Sequence, residues 1–83
     1  MNDTIFVSQN KKALVNGRNI YCLYVSQYVD LKKNETTWSI KANCVGTNGA
    51  IVLGSYTSEL ECMQNFLSMQ TDLECNNRWV NVK

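Results

Sequence analysis

One stretch, residues 38–73, constrains the fold more than any other. Trp38, Ile40, Ala42 and Cys44 alternate with Ser39, Lys41 and Asn43. A period of two sustained this long specifies a strand with one buried face. The glycine-bearing turn Gly46-Thr47-Asn48-Gly49 then leads into a second strand at 50–56. Gly54 inside that strand predicts a bulge or the close approach of another part of the backbone. Ser58 with Glu61 fits a capping box, with Thr57 as the alternative N-cap, and opens a helix over 59–74. At ~100° per residue, Leu60, Cys62, Met63, Phe66, Leu67, Met69 and Leu73 fall on one half of that helix. Glu61, Gln64, Asn65, Ser68 and Asp72 fall on the other. The apolar arc reads as the cover of one sheet; the alternative is that half a circumference is wider than one sheet needs and that its edge meets a partner. Asn76-Asn77 supplies the stop.

The rest of the chain reads as further strands. At 4–8, Ile5 and Val7 are in phase. A short strand at 13–15 is ended by Asn16-Gly17, a hairpin signal. At 20–25 both faces are apolar: Ile20, Cys22 and Tyr24 on one, Tyr21, Leu23 and Val25 on the other. Tyr28, Val29 and Leu31 prolong the apolar character before a polar loop at 32–36. Residues 78–82 read as an edge strand or a tail laid on the sheet. The expected fold is α+β, a single domain with a mainly antiparallel sheet of five or six strands and one helix packed on one face. The expected core is Val7, Val15, Trp38, Ile40, Ala42, Ile51, Leu53, Leu60, Met63, Phe66 and Leu67.

Size and charge narrow the functional classes. The chain has 83 residues, 45% of them hydrophobic and 18% charged. A domain this short is marginally stable from one core. Low charge together with a strand apolar on both faces predicts a homodimer, through a patch of Tyr21, Leu23, Val25 and Tyr28; the rival is that segment 26–36 or tail 78–83 folds back over that face within one chain. Net charge is +1, and the densest basic clusters are the pairs Lys11-Lys12 and Lys32-Lys33. That is short of the basic stripe of a nucleic-acid binder. The N-terminus has neither the basic start nor the apolar run of a secretion signal. No apolar run approaches the ~20 residues of a membrane span. The expectation is a cytoplasmic protein.

Nothing in the chain points to catalysis. There is no histidine, so the commonest general base is missing. The acids are scattered and the four glycines lie apart, which leaves no carboxylate pair and no phosphate loop. Cys22, Cys44, Cys62 and Cys75 lack the close pairs of a zinc site. They read as reduced, mostly buried thiols, with Cys75 the one out of phase. No metal and no cofactor is expected, and the protein is expected not to be an enzyme. The residue types enriched in binding hot spots are Tyr, Trp and Arg. The candidate partner-binding residues are therefore Arg18, Tyr21, Leu23, Val25, Tyr28, Arg78 and Trp79.

Four segments taken together carry a resemblance: Val7-Ser8-Gln9-Asn10; Leu14-Val15-Asn16 with Asn19-Ile20; Trp38-Ser39-Ile40-Lys41-Ala42; and Ile51-Val52-Leu53-Gly54-Ser55-Tyr56-Thr57-Ser58. The order resembles small uncharacterised proteins carried by phages, prophages and their Gram-positive hosts. Those have a few strands, a Leu-Gly-x-Tyr strand end, an N-cap and one helix. The long 26–36 segment and the cysteines depart from that pattern. The resemblance implies a phage-and-host setting, in which small proteins inhibit or sequester host components, including defence systems, by stoichiometric binding. It supplies no catalytic residues. The expected function is non-enzymatic binding of a host protein or a small ligand. The alternative is a small regulatory or nucleic-acid-contacting module.

Overall fold

The computed structural model describes residues 4–83. The acidic start of the chain, at residues 1–3, lies outside them. In order come β1 (Ile5–Val7), β2 (Leu14–Asn16), a 3-10 turn (Gly17–Asn19), β3 (Ile20–Asp30), β4 (Glu35–Cys44), β5 (Ile51–Tyr56), α1 (Glu59–Glu74) and β6 (Trp79–Asn81). The fold is α+β, but the strands form two three-stranded sheets instead of one sheet: β2-β1-β6 and β3-β4-β5. The pairings are antiparallel except β1 with β6.

The split has a local cause. Asn16-Gly17 makes no hairpin. The Asn16 Oδ1 accepts from the Arg18 N–H at 3.1 Å and caps a 3-10 turn with Gly17 buried inside it. That turn redirects the chain from one sheet to the other. A single residue then ties the sheets together. The Gln9 N–H donates to the Leu53 carbonyl at 2.7 Å, and the Ser55 N–H donates to Gln9 Oε1 at 2.8 Å. Gln9 Nε2 donates to the Lys83 carbonyl at 3.0 Å. One side chain thus hydrogen-bonds both the edge of β5 and the tail beyond β6.

β3 and β4 form one long hairpin. The expected loop at 32–36 is shorter than its polarity suggests. Asp30 Oδ1 accepts from the Lys32 and Lys33 N–H groups, Asn34 takes a positive φ of 52°, and β4 begins at Glu35. The bonds closing the turn come from Asp30 and its own neighbours, so the strands run on to its edge. The turn between β4 and β5 uses Gly46 (φ 85°) and Gly49 (φ 93°), backbone angles that glycine adopts without steric cost. β5 bulges against β4 between Ile40 and Lys41. Gly54 sits at this irregularity. A Cβ there would lie 2.9 Å from both the Tyr56 Oη and the Val82 Cγ1, so only glycine lets the tail pack this closely.

The helix occupies 59–74 as the sequence predicts. Ser58 accepts from the Glu61 N–H at its start. At its end Asn76 is left-handed (φ 58°), with Asn77 N–H to the Asp72 carbonyl and Asn76 N–H to the Leu73 carbonyl. That pair of bonds is a Schellman stop.

The core contains Phe6, Val15, Ile20, Ile40, Ala42, Cys44, Leu53, Tyr56, Cys62, Met69, Val80 and Val82. Each fully buried aliphatic side chain contributes roughly 1.5–3 kcal/mol. Trp38, Ile51 and Phe66 pack against this core half-buried. Four expected core residues are not in it. Val7 is only half-buried, because β1 sits in the opposite phase: Phe6 turns inward between its cross-strand neighbours Val15 and Val80. A shift of one position moves every side chain of a strand to the other face. Leu60, Met63 and Leu67 are exposed. The helix docks along Cys62, Phe66, Met69 and Leu73 alone, so its arc is indeed wider than the sheet it covers.

Candidate partner-binding surface

The phase of β1 creates an apolar surface on the outer face of its sheet. Thr4, Phe6 and Ser8 are buried, so Ile5 and Val7 lie on the outer face of their sheet. Cross-strand register sets Ile5 beside Trp79 and Val7 beside Leu14. Directly opposed side chains in a sheet lie ~5 Å apart, so these four form one continuous patch. Trp79 is 53% exposed and Leu14 66%.

Arg78 and Arg18 emerge at one end of this sheet. The Ile5 N–H donates to the Arg78 carbonyl at 2.7 Å, and the Gly17 N–H to the Thr4 carbonyl at 2.7 Å. Of the residues singled out from sequence, Trp79 stands on this outer face, and Arg18 and Arg78 lie in the chain segments at the Thr4 end of the same sheet. Ile5, Val7 and Leu14 escaped the reading. Their signal was a strand apolar on both faces, which leaves the choice of inner face to the neighbouring strands.

The other four candidates do not form the single patch expected of them. Leu23 and Val25 share a face with Ile40 and Ala42, and both are half-buried against the core. Tyr28, in the opposite phase along β3, belongs to the other face with Tyr24 and Ser26. Tyr21 sits at a bulge between Ile20 and Cys22 and is 68% exposed. The bulge and the odd-even spacing separate what proximity in sequence suggested was together.

An apolar pocket of about 180 Å3 opens between β3 and α1, lined by Leu23, Phe66, Met69, Gln70 and Leu73. It is below the ~300 Å3 from which small-molecule sites begin. All four cysteines are free thiols. Cys44 and Cys62 are buried, whereas Cys22 as well as Cys75 is exposed. Burial raises the Cys62 thiol above its ordinary range, with Glu59 adding to the effect. Burial likewise raises the Tyr56 phenol, helped by Cys62 and Glu61. Its hydroxyl is enclosed and finds no partner among the described residues. Both groups belong to the core beneath the helix. Among the described residues, no cluster of three or more Cys, Asp or Glu side chains could hold a metal ion, and no helix is long and apolar enough to cross a membrane. No protein-family model, curated protein or solved structure matches this chain.

Proposed function

We propose that this protein works by stoichiometric binding of another protein, and that the outer face of the β2-β1-β6 sheet is its contact surface. The observation that carries this reading is the aligned patch of Ile5, Val7, Leu14 and half-exposed Trp79, with Arg18 and Arg78 at one end. A tryptophan amid apolar neighbours and arginines has the composition of an interface centre. A protein partner fits this surface better than a small ligand, since the patch is a sheet face and the apolar pocket is small. The acting species is a homodimer. The setting is the cytoplasm of a Gram-positive host, where the protein is a phage- or prophage-borne factor that inhibits or sequesters a host component, defence systems included. The resemblance to small phage and prophage proteins supports that setting.

The test is capture from a Gram-positive host lysate by the immobilised protein, followed by titration of the captured species. Wild type retains one protein at fixed stoichiometry, and Leu14→Lys and Trp79→Ala each weaken capture about tenfold or more with an unchanged melting temperature. Undiminished capture by both variants overturns the assigned surface. Capture of nucleic acid that collapses between low and moderate salt supports the nucleic-acid-contacting alternative instead.

A further inference from the structure

Four strand edges are left by the two sheets, and three are managed. β2 and β6 are edge strands of three residues each, and β5 is hydrogen-bonded along its edge by Gln9. The fourth edge, β3, runs for eleven residues, Ile-Tyr-Cys-Leu-Tyr-Val-Ser-Gln-Tyr-Val-Asp. Among the described residues it pairs with β4 alone. It holds no proline and no lysine, and its one charge, Asp30, is at the end. Long, uncharged, apolar edges are what folded proteins otherwise avoid, because their free N–H and C=O groups template another strand.

We propose that β3 pairs antiparallel with β3 of a second copy about a twofold axis through Ser26, joining two three-stranded sheets into one of six strands. This rests on the homodimer reading and names its interface. The register follows from the bulge. Beyond Tyr21 the strand is regular from Cys22 to Asp30, and Ser26 is the midpoint of that stretch. In this register Tyr28 meets Tyr24 of the second copy, and Val29 meets Leu23 at the mouth of the apolar pocket. Tyr28 and Val29 are 66% and 48% exposed in the single chain, so both exposed apolar side chains of the regular stretch gain an apolar neighbour. Within the regular stretch no like charges meet, since its one charge, Asp30, faces Cys22. A parallel pairing would instead set Asp30 beside Asp30.

Sedimentation of the full chain at micromolar concentration tests both levels. Wild type sediments as a dimer, and Ser26→Lys, which sets two ammonium groups across the axis, weakens the dimer about tenfold or more while retaining its helix signal. Thr37→Lys, one strand inward on the same face, leaves it unchanged. A monomeric wild type overturns both the dimer and its interface. A dimer unaffected by folded Ser26→Lys overturns the interface alone. If Ser26→Lys fails to fold, the decision passes to Ser26→Cys combined with Cys22→Ser and Cys75→Ser. Oxidation links that variant into a covalent dimer if the axis passes through position 26, whereas Thr37→Cys in the same background does not link. Absence of the position-26 crosslink overturns the proposed register.

Discussion

The two outer edges of the β3-β4-β5 sheet are built in opposite ways. At β5, the backbone and side chain of Gln9 take up Leu53 and Ser55, and Gly54 lets the tail at Val82 close over the strand. At β3, nothing among the described residues pairs with the eleven-residue edge. The closed edge depends on residues distant in sequence, positions 9, 54 and 82. The open edge is composed of one continuous local segment. The contrast teaches that the long-range contacts of this small domain secure one side and leave the other edge unpaired among the described residues.

Gly54→Val has the largest expected effect. Its branched side chain would overlap Tyr56 and Val82, and overpacking of this kind costs about 1–3 kcal/mol. A thermal melt reads it, and an unshifted melting temperature would mean that the tail moves aside without cost. Gln9→Ala comes next. Loss of the side-chain bonds to Ser55 and Lys83 costs about 1–2 kcal/mol, and amide exchange at Ser55 accelerates while that of β3 stays as it was.

Tyr56→Phe has a smaller effect of opposite sign. It removes a buried hydroxyl without a partner among the described residues and stabilises by about 1 kcal/mol in denaturant titrations. The pH dependence adds a check. Burial raises the Tyr56 phenol in the folded chain, so above the unfolded value of ~10 the unfolded state loses its proton first. Wild-type stability therefore falls relative to Tyr56→Phe as pH rises past that value. A constant difference across that range would contradict the burial. The last comparison leaves stability untouched. Native thiol labelling modifies Cys22 and Cys75 and spares Cys44 and Cys62, with Cys22 on the open edge slowing as protein concentration rises. Rapid modification of Cys62 would show that the helix does not seal the core.

Much of this architecture is legible in the chain. The helix was, from end to end, because Ser58 and Asn76-Asn77 carry local capping chemistry that needs no tertiary partner. β4 was, because its polar and apolar faces are distinct. A glycine inside a strand, as at 54, implies a bulge or a close approach, and both occur. The inner face of β1 was not legible, since Phe6 competes with Ile5 and Val7 and is chosen by Val15 and Val80 across the sheet. That error hid half of the candidate surface, leaving Trp79, Arg78 and Arg18 visible without the apolar neighbours between them. The division into two sheets was hidden for the same reason, because β1 pairs with β6 across almost the whole chain. In the 26–36 segment, polar residues interrupt the apolar pattern, while cross-strand pairing decides the structure.

The central claim is that β5 is closed within one chain and β3 is closed only by a second copy. Residue-resolved amide hydrogen exchange, at low and at high micromolar concentration, tests it most directly. The account predicts that Ser55 is protected equally at both concentrations. It predicts that alternate β3 amides between Cys22 and Asp30, those directed away from β4, exchange fast when dilute and become protected when concentrated. β3 amides that exchange at one rate at every concentration would contradict it.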